Sequence, residues 1–254
     1  MSGIIGMYGN IDNSFKFSGK IKYIFTELSG ETNNVENVDL EDYTAIASTD
    51  QFASKAICQR IIHICEEHGF NMIEQEYHQS TVDIEVDKCQ LLREYLLQMG
   101  LINELNRCMN SIFNTKPIAF DDIFIVKYDM NIQQYLPRHF DSGHISFMIA
   151  LSDRSSYEGG GTSFDILKQG NCTNSNINDT NITTDVDTDT DSYNIVHLNI
   201  GELLLFNADL YHCGHPIVSG TRYVLVGFCY VYDDVHRNIL GKNSGNINLN
   251  LQCI

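Results

Sequence analysis

The sequence predicts an α+β protein whose strands form an antiparallel double sheet. Three observations carry this. Apolar residues recur at helical spacing between residues 54 and 113. After Pro117 they give way to short runs rich in β-branched and aromatic residues. Strand and helix patterns do not alternate as βαβ units would require.

Residues 1–53 have weak periodicity and much Gly, Asn, Ser and Asp. They read as an irregular N-terminal extension with one short strand around residues 21–25. A single domain is expected over residues 54–254. Ser54 precedes Ile57, Ile61, Ile64 and Cys65, and Gly69 follows them. That is an N-cap, an apolar stripe and a C-terminal glycine. A second helix is expected over residues 88–99, with Leu91, Leu92, Tyr95 and Leu96 on one side. Gly100 interrupts the pattern, and residues 101–113 continue it through Leu105, Cys108, Met109 and Ile112. Strands are expected at 123–128, 145–151, 195–199, 203–206 and 222–232.

Residues 168–193 are dominated by Asn, Thr and Asp and read as a solvated loop inserted between two strands. The run Asp185, Asp187, Asp189, Asp191 is no EF-hand, because it lacks the glycine at the sixth position and has Val196 where the twelfth-position glutamate belongs.

Composition excludes several classes. The 254-residue chain has 33 Asp+Glu against 16 Lys+Arg, a formal charge of −17, and no basic run. Tight binding to nucleic-acid phosphates needs the opposite balance. A hydrophobic fraction of 43% supports a real core. The cysteines at 58, 65, 89, 108, 172, 213, 229 and 253 form no C-x-x-C pair or zinc spacing and read as reduced thiols. The N-terminus shows no signal-peptide pattern, and no apolar run reaches the ~18 residues of a membrane span. A cytoplasmic or nuclear protein that contacts neither membrane nor nucleic acid is the expectation.

The chemistry-bearing pattern is His139-Phe140-Asp141, then a distant His, then Arg222. Residues i and i+2 of a strand share a face, so His139 and Asp141 can reach one metal from one strand end. His144, His197, His212 and His215 are candidates for a third ligand. His212 has the best case. If 203–206 and 222–232 pair antiparallel about residue 217, His212 and Arg222 stand opposite each other on one wall. Two His and one carboxylate hold Fe(II) on one face and leave the other positions open. An arginine clamps a carboxylate through two parallel hydrogen bonds. An isolated His-x-Asp is weak evidence. The ordered set is stronger: His139 and Asp141, then Gly159, Gly160, Gly161, Thr162 and Phe164, then Gly201, Glu202 and Phe206, then His212, then Gly220, Thr221, Arg222 and Tyr223. The three glycines are expected to allow a tight turn or a close backbone approach.

With these residues the chain resembles the 2-oxoglutarate/Fe(II)-dependent dioxygenases of the prolyl 4-hydroxylase and lysyl hydroxylase type. The resemblance covers residues 56–232. It includes the spacing from Tyr128 to His139, the segment Tyr157-Glu158-Gly159-Gly160-Gly161, and Gly220-Thr221-Arg222-Tyr223, where many animal prolyl 4-hydroxylases carry Lys in place of the arginine. It implies a double-stranded β-helix, a cupin-like jelly roll with N-terminal flanking helices. It implies His139, Asp141 and His212 as iron ligands, Arg222 binding the far carboxylate of 2-oxoglutarate, and Tyr128 as a second donor to it. It further implies O₂ and 2-oxoglutarate as co-substrates, succinate and CO₂ as co-products, ascorbate as a candidate reductant, and a prolyl or lysyl side chain of a protein as substrate. The alternatives are an oxygenase acting on a small molecule and a catalytically silent jelly-roll module.

Overall fold

In the computed structural model, residues 20–28, 43–73, 81–113, 118–168, 182–183 and 193–231 are described. The helices come early. Helix α1 (Lys55–His68) starts where the Ile57 N–H donates to Ser54 Oγ and ends where the Gly69 N–H donates to the Cys65 carbonyl. Helix α2 (Gln90–Gln98) and helix α3 (Leu101–Phe113) are separated by Gly100, whose φ of +67° suits a residue without a Cβ. All three bury an apolar face, through Ile57, Ile61 and Ile64, then Leu92 and Leu96, then Leu101, Leu105 and Met109.

These faces pack on the back of a large antiparallel sheet. In chain order its strands are β1 (Ile21–Leu28), β2 (Tyr43–Thr49), β3 (Asn71–Ile73), β4 (Thr81–Glu85), β5 (Ile118–Asp129), β7 (Ile145–Ala150), β12 (Leu203–Asn207) and β14 (Ile217–Val231). They run β1-β2-β12-β7-β14-β5-β4-β3 across the sheet, and β8 (Tyr157–Gly159) adds to the early end of β14. A smaller sheet covers the front. It comprises β6 (Leu136–His139), β9 (Thr162–Lys168), β10 (Ile182–Thr183), β11 (Tyr193–Val196) and β13 (His212–Gly214), in the order β10-β11-β9-β13-β6.

Side-chain alternation divides the core accordingly. Ile123, Ile125, Phe147, Ile149, Leu203, Leu205 and Leu225 point back to the helices. Val126, Tyr128, Met148, Leu204, Phe206 and Val224 point forward to the small sheet, where they meet Phe164, Leu167 and Val196. Helices, large sheet and small sheet form three layers, with the jelly roll made by the two sheets.

Two expectations are corrected. Residues 43–53 are not an irregular extension: β2 pairs with β12 in register from Ile46 with Phe206 to Thr49 with Leu203, and Ile46, Ala47 and Phe52 are fully buried. The Gly- and Asn-rich stretches around this strand masked it. The expected hairpin of 203–206 with 222–232 does not form. Strand β12 pairs with β2 and β7, whereas β14 pairs with β5, β7 and β8. Between them the chain detours through the small sheet as β13. It is then held at Pro216, which has no N–H for a ladder, by hydrogen bonds from Gly160 N–H to the Pro216 carbonyl and from Ile217 N–H to the Gln134 carbonyl. Most of the inserted segment 168–193 lies outside the described residues, as do Cys172 and Cys253; the six described cysteines are unpaired thiols. No helix among the described residues is long and apolar enough to cross a membrane.

Candidate metal centre and co-substrate pocket

A cavity of about 520 Å³ opens between the two sheets near β4, β5 and β6. His139 ends β6 and His212 begins β13, and the two strands pair antiparallel with these residues opposite each other. Their ring centroids are 4.3 Å apart. Asp141, two residues beyond His139, is fixed by its backbone N–H, which donates to the Ala208 carbonyl. Asp141 Oδ1 lies 3.4 Å from His139 Nε2, and Asp141 Oδ2 lies 3.6 Å from His212 Nε2. Ligand atoms of the three residues all fall within 4.8 Å of one another.

The outer nitrogens of both imidazoles face backbone carbonyls. His139 Nδ1 is 2.7 Å from the Pro137 oxygen, and His212 Nδ1 is 2.9 Å from the Leu210 oxygen. A carbonyl only accepts, so Nδ1 carries the proton and Nε2 presents a lone pair to the centre. That is the tautomer a metal ligand requires, oriented by its outer hydrogen bond. Asp141 Oδ2 is buried without a hydrogen-bond partner, an arrangement that a bound cation relieves. Burial is the main cause that lowers the His212 pKa, with His139 adding to it and Asp141 opposing. For His139 burial also acts downward, but hydrogen bonding to Asp141 and Pro137 outweighs it and the net shift is upward. The donor set fits iron: two neutral nitrogens and one carboxylate, with the cavity on their open side.

Arg222 and Tyr128 are cross-strand partners on β14 and β5. The sequence had placed Arg222 opposite His212; the residue opposite is Tyr128 because β14 enters the large sheet beside β5. Both are only 3% exposed. The guanidinium lies 5.3 Å from the Tyr128 ring centroid, and its Nη2 is 3.4 Å from Met148 Sδ. Arg222 does not itself line the cavity, but Tyr128 and Met148 do. No carboxylate among the described residues pairs with this buried cation, which sits behind the Tyr128 and Met148 side chains of the cavity wall. Burial raises the Tyr128 pKa, with Arg222 opposing, which keeps the phenol protonated as a donor. Gly160 has a φ of +66°, and a Cβ there would come 2.9 Å from Ile217 Cδ1 and 3.4 Å from Arg222 Cδ. The glycine run thus lets the backbone pass close to the arginine stem.

The remaining His candidates lie elsewhere. His144 Nδ1 accepts from the Val231 N–H, and His215 Nε2 is 3.0 Å from Ser163 Oγ. Thr162 lines the cavity, with its hydroxyl directed at Met148 Sδ.

The sequence reading missed an acidic stretch of cavity wall made by Asp83, Glu85, Asp121 and Asp122. The signal was present: Thr81, Asp83 and Glu85 alternate with Val82, Ile84 and Val86, the period of a half-buried strand.

No protein-family model and no curated protein sequence matches the chain. Solved structures do match in fold. One is the non-heme alpha-ketoglutarate-dependent epimerase SnoN of nogalamycin biosynthesis, at 9% identity over 73% of this chain and 78% of that chain, with a TM-score of 0.53. Another is AviO1 from Streptomyces viridochromogenes Tue57, at 14% identity over 74% of this chain and 90% of that chain, with a TM-score of 0.50. SnoN is also known in complex with Fe3+, alpha-ketoglutarate and nogalamycin RO, at 9% identity over 73% and 78% of the two chains and a TM-score of 0.52. At such identities the likeness is one of fold. The chain has the jelly-roll architecture with flanking helices expected from its sequence.

Proposed function

We propose that the protein is an Fe(II)- and 2-oxoglutarate-dependent dioxygenase that hydroxylates a protein side chain, prolyl or lysyl. The observation that carries this reading is the combination of His139, Asp141 and His212, whose ligand atoms converge, with the buried Arg222 guanidinium, which lies behind the cavity-lining Tyr128 and Met148 and pairs with no carboxylate among the described residues. Overall, R–H, 2-oxoglutarate and O₂ give R–OH, succinate and CO₂. One oxygen atom enters the alcohol and the other enters the new carboxylate of succinate.

His139, Asp141 and His212 would hold the iron. Bound iron with 2-oxoglutarate supplies the activation of O₂ needed against an unreactive C–H bond. Arg222 receives the far carboxylate of 2-oxoglutarate, and its desolvated charge sets the length of acid accepted. Tyr128 donates its hydroxyl hydrogen to the same carboxylate. Val126, Met148, Phe206 and Val226 line the cavity between these ends and exclude water.

The test is succinate formation by anaerobically purified protein given Fe(II), ascorbate and 2-oxoglutarate, then exposed to air, with and without Pro- and Lys-containing peptides. Iron-dependent succinate that a peptide stimulates and that His212→Ala abolishes is the expected result. Absence of both iron and 2-oxoglutarate binding would refute the reading in favour of a silent jelly-roll module.

A further inference from the structure

The two histidines of the centre are not held alike. His212 is enclosed: its ring centroid lies 4.9 Å from that of Phe206 and 5.6 Å from that of Phe164, and its side chain is 5% exposed. The His139 side chain is 32% exposed and stands on β6, the edge strand of the small sheet. Strand β6 pairs with β13, through His139 with His212 and Leu136 with Gly214, and the register shifts between these two pairs. Pro137 lies inside the shift and has no N–H to give to a ladder. Four residues paired irregularly with three are a weak means of fixing where His139 meets an ion.

The outer face of the same strands carries a second fastening. Successive side chains alternate across a sheet. His139, His212 and Phe164 form one cross-strand row facing inward, so their neighbours Arg138, Tyr211 and Asp165 turn outward. Arg138 Nε and Nη2 both donate to Asp165 Oδ2, at 2.7 and 2.6 Å. The guanidinium carbon lies 3.7 Å from the centroid of the Tyr211 ring. The Phe140 ring meets the Tyr211 ring edge-on, with centroids 5.4 Å apart, and the Asp165 N–H donates to the Tyr211 carbonyl. Arg138 therefore reaches from β6 across β13 to β9, and the residue beneath it is the sequence neighbour of the enclosed histidine. A planar guanidinium makes both contacts at once, its edge on the carboxylate and its face on the ring. An ion pair so exposed contributes little to global stability. What it constrains is local: the position of β6 against β13.

We infer that Arg138, together with Tyr211 and Asp165, is a positioning device for the metal centre. It clamps the edge strand across β13 and so sets His139 against His212 and Asp141. That an ion is what the histidines hold rests on the proposed function; the clamp itself does not.

The experiment titrates the full chain with Co(II), read by visible absorption, and follows hydrogen exchange in the metal-free protein. Arg138→Ala is expected to weaken Co(II) binding about tenfold, the low end for groups just outside a ligand shell, and to alter the absorption bands. It should speed exchange selectively over residues 136–141 and 211–214, while Tm stays within about 3 °C of wild type. Asp165→Ala should act alike, and the double variant should lose no more than either single one, because the pair works as a unit. Arg138→Lys should not restore binding, since an ammonium is a point charge that cannot lie flat on the ring. Lys55→Ala breaks another exposed ion pair, with Asp153, and should leave Co(II) binding and exchange in these segments as they are. Unchanged exchange and Co(II) affinity in Arg138→Ala would overturn the inference, as would additive losses in the double variant, full rescue by lysine, or an equal loss in Lys55→Ala. A wild type that binds no Co(II), with exchange still faster in Arg138→Ala, refutes the metal centre and leaves the clamp standing. Co(II) bound equally by wild type and Arg138→Ala does the reverse.

Discussion

Arg222→Met should strengthen the empty protein and weaken its hold on 2-oxoglutarate. In the structure the guanidinium is desolvated and has only a thioether sulfur and an aromatic face as partners. Leaving a buried charge uncompensated costs about 3–5 kcal/mol. The Tyr128 ring returns about 0.5–2 kcal/mol of that. Methionine keeps most of the stem packing and removes the charge, so the unliganded protein should gain about 2 kcal/mol, or about 4–8 °C in Tm for a chain of this size. Against 2-oxoglutarate the sign reverses. Two charge-assisted hydrogen bonds to its far carboxylate contribute about 3–4 kcal/mol together, so Kd should rise about 100- to 1000-fold. Calorimetric titration with Mn(II) in place of iron measures the affinity, and thermal unfolding measures stability. Pyruvate has the keto-acid group but no far carboxylate, so it should bind wild type and variant alike. A variant that loses stability yet binds 2-oxoglutarate normally would refute the reasoning and make Arg222 a structural residue.

Other perturbations probe the scaffold. Gly201 has a φ of +82°, and a Cβ there would lie 1.9 Å from the Ala53 carbonyl oxygen, so Gly201→Ala should lower stability by about 3 kcal/mol in chemical denaturation. An unchanged midpoint would contradict the turn geometry. Asp122→Asn should stabilise the protein at neutral pH. The folded-state pKa of Asp122 is raised from 3.8 to about 6, so its unfavourable contribution is absent below the unfolded value, grows as pH rises between the two, and is complete above the folded one. The gain in Tm should therefore vanish near pH 3.5, and a pH-independent gain would rule out the titration. Burial pushes the Cys58, Cys65 and Cys108 thiols up to about 12. In native protein at pH 8 these three should resist iodoacetamide, with mass spectrometry as the readout, and rapid labelling of any one would contradict their burial.

Local signals made the helices legible. Ser54 and Gly69 bracket α1, and Gly100 marks the α2–α3 break, because caps and breakers act within one turn of chain. The apolar runs of β7 and β12 were equally plain. Strand partnership was not, since it is decided by residues far apart in sequence. The pattern that put Arg222 opposite His212 was a reasonable hairpin, yet the chain inserts β13 into the other sheet and brings Arg222 beside Tyr128. Strands β6 and β13, which carry His139 and His212, are four and three residues long, too short for a periodicity to show. His139, Asp141 and His212 could be named from their chemistry, but the carbonyls of Pro137 and Leu210 that set their tautomers could not. The acidic wall was missed because it joins residues of β4 to residues of β5, and neither segment alone announces a cluster.

The cross-strand pairing of His139 with His212 has a mechanical side. A slip of one residue would turn Phe140 or Tyr211 inward and scatter the ligands. An ion held by both histidines would therefore rivet two strands too brief to secure their own alignment. Because the ion is gripped only in the correct register, loading should add to stability in proportion to the logarithm of its concentration. It should also slow hydrogen exchange first along β6 and β13, making the centre a lock on the small sheet as well as a place for chemistry.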